Sequence, residues 1–241
     1  MKYMGSKNRH AKHLLPIILK DRKPGQCYVE PFVGGANMID KVDGWRIGAD
    51  SHEYLIAMWK AVSDGWLPIG VITEDDYADV KNNIDTDKAL SGFIGFSMSF
   101  GGKWWGGYRR DVAGTKGCVE NMKLQSRRSI SNMQKQAVNL LGVDFICSGY
   151  EDLEVPDNSI IYCDPPYANT TKYKDSFDHD KFWRWCRDKV KEGHQVFISE
   201  YDAPDDFACV WEKEVNSSLT KNTGAKKGVE KLFVHKSQQS V

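Results

Sequence analysis

The sequence predicts an α/β chain built on a doubly wound, mostly parallel sheet that carries a largely helical insertion. Three observations predict it. Short apolar segments bounded by turn residues alternate with segments of helical periodicity. The first apolar segment runs into a glycine pair, and the second ends on an acid. Over residues 66–140 the alternation stops, and glycine, aromatic and arginine residues crowd together in Phe-Gly-Gly-Lys-Trp-Trp-Gly-Gly-Tyr-Arg-Arg-Asp.

In chain order, residues 27–32 (CYVEPF) read as a short buried strand that enters a loop containing Gly34 and Gly35. A helix is expected after that loop, its free N–H groups offered to an anionic or polar ligand. Residues 45–50 (WRIGAD) form the second strand, ending on Asp50. The next segment, 51–65, is helical: Leu55, Met58, Trp59 and Val62 recur at i, i+3, i+4 and i+7, and Gly65 supplies a stop. Helical fragments and the glycine-aromatic stretch then make up residues 66–140, read as an inserted subdomain. Residues 1–65 and 141–241 make up the sheet domain. Strands resume at 143–148 and 159–164. A helix over 178–193 starts among Asp178 and Asp180, aligns Phe182, Trp185, Cys186 and Val190 on one face, and ends at Gly193. Strands follow at 194–200, 207–215 and 229–235. The last two are expected to form an antiparallel hairpin across a polar loop with Asn222, Gly224, Lys226 and Lys227.

Composition narrows the function classes. The 241 residues are 41% hydrophobic and 27% charged, which excludes a disordered chain. No apolar run approaches the roughly 20 residues of a membrane helix, so no membrane partner is expected. The first residues lack the apolar stretch of a signal peptide. The six cysteines are scattered without a CxxC pair, which argues against a zinc ribbon and a disulfide framework. The expected setting is a reducing cytoplasm, and no metal is called for. The 33 basic and 33 acidic side chains cancel, but they are unevenly spread. Residues 1–23 hold Lys2, Lys7, Arg9, Lys12, Lys20, Arg22 and Lys23 against Asp21. Residues 103–128 hold Lys103, Arg109, Arg110, Lys116, Lys123, Arg127 and Arg128 against Asp111 and Glu120. Two such patches suit a polyanion or a solvated surface.

Two constellations carry chemistry. In the first, glycines after a strand admit a close ligand. An acid ending the next strand can accept both hydroxyls of a ribose, the nucleoside-binding logic of Rossmann-like sheets. The loop is not a clean GxGxxG, and no GxxxxGK[ST] is present, which excludes a P-loop NTPase. In the second, the apolar Ile160-Ile161-Tyr162-Cys163 delivers Asp164 to a strand end, followed by Pro165, Pro166 and Tyr167. The prolines fix φ and force an extended, rigid turn. In an open α/β sheet such groups share one crevice beyond the strands' carboxyl ends. The Asp164 carboxylate can accept one N–H of a planar amine, and a backbone carbonyl of the turn the other. Tyr167 can stack on the ring at roughly 1–3 kcal/mol. Two acceptors draw the nitrogen toward tetrahedral geometry and aim its lone pair at an electrophile such as a sulfonium methyl.

Here the chain resembles the Dam-type DNA adenine methyltransferases, phage members among them. The resemblance rests on Lys2–Lys7 (KYMGSK), Glu30–Asn37 (EPFVGGAN), Gly48–Trp59 (GADSHEYLIAMW) and Cys163–Tyr167 (CDPPY), which stand in the family's order. It extends to ISEYDAP at 198–204 and the late VEKLFVH. The loop departs from the F-x-G-x-G of many members in reading F-V-G-G-A-N. The resemblance implies a Rossmann-like methyltransferase sheet, S-adenosyl-L-methionine as co-substrate, and adenine in double-stranded DNA as target. Carried over residue by residue, it puts Tyr3 and Lys7 at the cofactor, Phe32, Gly34 and Gly35 along it, and Asp50 on its ribose. It puts Asp164 between cofactor and base, with Tyr167 stacked on the base. The insertion would then read DNA through Lys103, Arg109, Arg110 and Arg128, by guanine contacts and phosphate neutralisation. Trp104 and Trp105 are equally consistent with wedging into the duplex or with a subdomain core. Other readings are an RNA adenine or DNA cytosine methyltransferase, an NAD-type dehydrogenase and a non-catalytic DNA-binding remnant.

Overall fold

The computed structural model describes residues 1–110, 119–167, 177–216 and 227–239. Asp111, Lys116, Asn222, Gly224 and Lys226, singled out above, lie outside the described residues. Among the described residues the chain forms one seven-stranded sheet. Its strands are β1 (Tyr28–Glu30), β2 (Arg46–Asp50), β3 (Val143–Cys147), β4 (Ile160–Cys163), β5 (Gln195–Glu200), β6 (Phe207–Asn216) and β7 (Lys227–His235). The order across the sheet is β3-β2-β1-β4-β5-β7-β6. The first five strands run parallel, whereas β7 pairs antiparallel with both β5 and β6. This is the Rossmann-like sheet with an antiparallel C-terminal pair that the sequence predicts.

Successive side chains in a strand point to opposite faces, and both faces are covered. Tyr28, Phe145, Ile160, Tyr162 and Leu232 pack into one core, which also takes Ala11, Leu14 and Ile18 of α1 (Ala11–Ile18) and Leu55, Met58 and Trp59 of α2 (Glu53–Ser63). Val29, Ile47, Ile161, Cys163, Val196 and Phe233 pack into the other, against Phe182, Trp183 and Cys186 of α6 (His179–Lys191). The segment between α2 and β3 holds α3 (Glu74–Asn82), α4 (Lys88–Ser97) and α5 (Val119–Ala137). Phe93, Ile94, Ile130 and Met133 of that segment join the first core. Caps written in the sequence start these helices. Thr73 and Asp76 form a capping box on α3, while Asp87 and Asp178 accept from Leu90 N and Lys181 N. No helix among the described residues is long and apolar enough to cross a membrane.

One expected element is missing. No α-helix follows the glycine pair; only a 3₁₀ turn at Ile39–Lys41 lies between β1 and β2. Gly34 and Ala36 both take left-handed backbone, at φ 45° and 51°, which a right-handed helix excludes. The chain then makes only the 3₁₀ turn before β2, so no α-helix N-terminus is part of the site.

Candidate active site

The carboxyl ends of β2, β1 and β4 lie side by side, and each delivers an acid. Asp50 is the last residue of β2, Glu30 the last of β1, and Asp164 directly follows β4. At a strand spacing of about 4.8 Å, the first and last acids are two strands, roughly 10 Å, apart. The loop Pro31–Met38 closes over this edge, anchored from three sides. Gly34 N donates to Asp50 Oδ2 at 3.2 Å, and Trp59 Nε1 donates to Gly34 O at 2.8 Å from within the core. Gln136 Nε2 of α5 donates to Gly35 O at 3.0 Å and Ala36 O at 2.9 Å. The glycines serve a protein contact: a Cβ on Gly34 would stand 2.8 Å from Tyr3 Cε1, and one on Gly35 2.7 Å from Tyr3 Cβ. Tyr3 thus lies on the loop, its ring 5.3 Å from that of Phe96. Phe32 faces the opposite side, among Tyr150, Phe177 and Phe182.

Asp50 accepts from His52 N at 3.0 Å as well as from Gly34 N. Burial pushes its carboxyl upward, against both backbone donors. Glu30 is 3% exposed, and its partner is the Tyr28 hydroxyl, which donates at 2.9 Å. Burial raises the Glu30 carboxyl well above the ordinary range.

Lys7, buried in a 3₁₀ turn at Lys7–Arg9, brings the N-terminal segment to the end of β4. Its Nζ is 3.1 Å from Asp164 Oδ1, 3.4 Å from Glu230 Oε2, and 4.5 Å from the centre of the Tyr167 ring. Tyr167 Oη donates to Glu230 Oε2 at 2.9 Å, and its ring meets that of Tyr201 edge-on. Burial alone would lower the Lys7 ammonium, but Asp164 and Glu230 carry it above its usual value. Burial raises the Asp164 carboxyl, with Lys7 opposing. The Asp164 side chain is still 22% exposed, so solvent reaches it at the strand end. Pro165 is buried and Pro166 half-buried beside it.

The structure therefore gathers Tyr3, Lys7, Gly34, Gly35, Asp50, Asp164 and Tyr167 along one sheet edge. It adds Glu30 and Glu230, which sequence reasoning did not single out. Glu30 had a signal, as an acid ending a strand in EPFVGG. Glu230 had none, because its place depends on β7 inserting beside β5. The residues expected at DNA scatter. Arg109 and Arg128 line a polar cavity of about 550 Å³ with Lys2, Asn132, Lys135 and Asp40. Arg110 pairs instead with Glu74 on the exposed surface. Lys103 lies in the turn under Gly106, outside that cavity. Trp104 packs on Gly95, Phe96, His52 and Tyr54, and Trp105 on Tyr77, so both lie half-buried against the core.

Among solved structures, the chain is similar to the rRNA methyltransferase aviRa from Streptomyces viridochromogenes. The two share 9% identity over 97% of this chain and 86% of that one, at a TM-score of 0.43. No curated protein matches. The sequence model of the D12 class N6 adenine-specific DNA methyltransferases matches residues 3–92 and 108–219, leaving out the glycine-tryptophan turn and the strand that carries Glu230. That match covers most of the chain and the three strand ends that carry Glu30, Asp50 and Asp164, and by it the protein belongs to the D12 class N6 adenine-specific DNA methyltransferase family.

Proposed function

We propose that the sheet edge described above binds S-adenosylmethionine and an adenine extruded from double-stranded DNA, with Asp164 and Tyr167 holding the base. The observation that carries the proposal is the convergence of Lys7, Asp164 and Tyr167 on one point beside Glu30 and Asp50. S-adenosylmethionine supplies, when bound, a methyl group on a sulfonium. The residues fit it: Asp164 at its strand end complements its cationic atoms, and each Asp50 oxygen keeps a lone pair for a ribose hydroxyl beyond its backbone donor. Tyr3 and Phe32 wall the loop from opposite sides.

In this reading Asp164 accepts one N–H of the adenine amine, and a carbonyl of the Pro165-Pro166 turn accepts the other. Both orient the nitrogen lone pair toward the methyl carbon, and Tyr167 stacks on the ring. Methylation leaves one surplus proton on the nitrogen, and the adjacent Asp164 carboxylate is placed to take it. Extrusion is required because the amine lies inside the duplex, at a cost of a few kcal/mol. The segment 66–140 serves as the recognition subdomain. Arg109 and Arg128, together with Lys2 and Lys135, follow the phosphates from the polar cavity.

The test is Asp164→Ala. Methyl transfer to unmethylated plasmid should fall by at least ~10²-fold, the loss typical of a removed electrostatic contact in a transition state. Calorimetry should still show S-adenosylmethionine binding. Digested product should contain N6-methyladenine. Methylation by the variant at the parental rate, or a product of methylated cytosine, would overturn the proposal.

A further inference from the structure

We infer that Glu230 is a positioning residue that receives the Lys7 ammonium when the target base enters, and so releases Asp164 and the Tyr167 ring. The inference rests on the reading of Asp164 and Tyr167 given above. In the structure as it stands, one ammonium covers both groups the base requires. Lys7 Nζ is 3.1 Å from the carboxylate oxygen that should accept the amine, and sits over the ring that should stack on the base. An ammonium N–H aimed at that oxygen is chemically the same contact an adenine amine would make. Base and ammonium therefore compete for one place.

A buried cation cannot simply be displaced, because an ion stripped of its partner inside the protein is strongly unfavourable. Lys7 is 7% exposed, so water does not replace the lost carboxylate. Among the described residues it has one other carboxylate in reach, Glu230 at 3.4 Å. A swing of the flexible lysine stem toward Glu230 keeps the ammonium paired throughout. The same Glu230 oxygen accepts from the Tyr167 hydroxyl at 2.9 Å. The tyrosine is thereby held by its far end while its face is cleared. Glu230 is suited to stay fixed, since its backbone is in register with Lys213 of β6, the next residue, Lys231, pairs with both β5 and β6, and its side chain is 14% exposed. The strand lies beyond residue 219, where the family match ends.

The experiment compares Glu230→Gln, Glu230→Asp and the parent. Glu230→Gln keeps the shape and an acceptor for Tyr167 but removes the charge that receives Lys7. With unmethylated plasmid and S-adenosylmethionine, its kcat should fall at least tenfold. Thermal unfolding temperature, the calorimetric Kd for S-adenosylmethionine and the KM for DNA should stay within twofold or a few degrees of the parent. Glu230→Asp should recover most of the lost kcat. A Glu230→Gln kcat within twofold of the parent overturns the inference. So does a loss that appears only as raised KM or as unfolding, or one that Glu230→Asp does not rescue. If the parent itself methylates no adenine, the failure belongs to the proposed function and not to this residue.

Discussion

At the scale of single residues, the site shows which acids a sequence discloses. Asp50 and Asp164 announce themselves by ending apolar runs, where a charged group has no reason to be unless something binds it. Glu30 ends an equally apolar run but is followed by proline and phenylalanine, and its full burial emerges only once β2 and β4 flank it. Burial without a cationic contact has a measurable consequence. The Glu30 carboxyl is raised well above its ordinary 4.5, with Tyr28 opposing. Above pH 4.5 the unfolded chain has released this proton while the folded protein keeps it. The folded state then binds more protons, so stability is present in full below pH 4.5 and is lost as pH rises, by up to ~1.4 kcal/mol per pH unit. Asp50 and Asp164 are shifted in the same direction and add to the slope. Glu30→Gln carries no proton to lose. Its unfolding free energy should therefore fall less steeply than the parent's as pH rises from 5 to 8. Denaturant unfolding across that range checks this, and parallel curves for the two proteins would show that Glu30 is not held neutral.

At the scale of elements, every expected strand is found, displaced by no more than two residues at an end, because the first five are short apolar runs closed by turn residues and the last two flank a polar loop. Helices α2 and α6 were legible for the same reason, one by its apolar periodicity and the other by its capping aspartate and terminal glycine. What was not legible depends on contacts between elements. The helix expected after β1 is cancelled by the left-handed Gly34 and Ala36, and no periodicity shows that Tyr3 will claim the space above the glycines. The tryptophans looked equally suited to DNA or to a core. Gly95 seats Trp104 against the core, since it leaves room for the ring: a Cβ there would lie 2.3 Å from the indole. Gly92, one turn earlier on α4, plays the same part toward α2. Its added Cβ would stand 2.1 Å from the Tyr54 carbonyl oxygen, a backbone atom that cannot rotate aside. Gly92→Ala should therefore destabilise by ~1–3 kcal/mol or more through overpacking, despite alanine's better helix propensity. Gly149 has nothing within 4 Å of a Cβ and no left-handed backbone. Gly149→Ala should leave stability unchanged or raise it by up to ~1 kcal/mol. Unfolding temperatures for the pair decide, and equal shifts would mean that the α2–α4 contact is not as tight as the geometry states.

At the scale of the whole molecule, a chain with 33 positive and 33 negative side chains has no net attraction to DNA. Binding a polyanion then depends on how the charges are sorted. The fold sorts them in part by bringing one basic N-terminal residue, Lys2, to the same cavity as Arg109, Arg128 and Lys135, a juxtaposition that only the tertiary structure supplies. Their meeting place is the polar cavity beside α5, where Gln125, Arg128, Ser129, Asn132, Lys135, Gln136 and Asn139 stand at helical spacing along one wall and Met1 and Lys2 on another. Gln136 on that same face holds Gly35 and Ala36, so the wall proposed to meet phosphate also carries the loop proposed to hold the co-substrate. The two functions can nonetheless be separated, because Arg128 and Lys135 line the cavity but make none of the hydrogen bonds that anchor the loop. Each phosphate neutralised by a side chain adds about 0.9 to the slope of log affinity against log salt. Arg128→Ala with Lys135→Ala should therefore weaken duplex binding several-fold at low salt and flatten that slope by about 2, with the Kd for S-adenosylmethionine unchanged. Fluorescence anisotropy of a labelled duplex between 50 and 200 mM salt measures both. An unchanged slope would place the DNA on another face of the protein. A slope lost together with co-substrate binding would mean that the α5 wall and the loop cannot be altered independently.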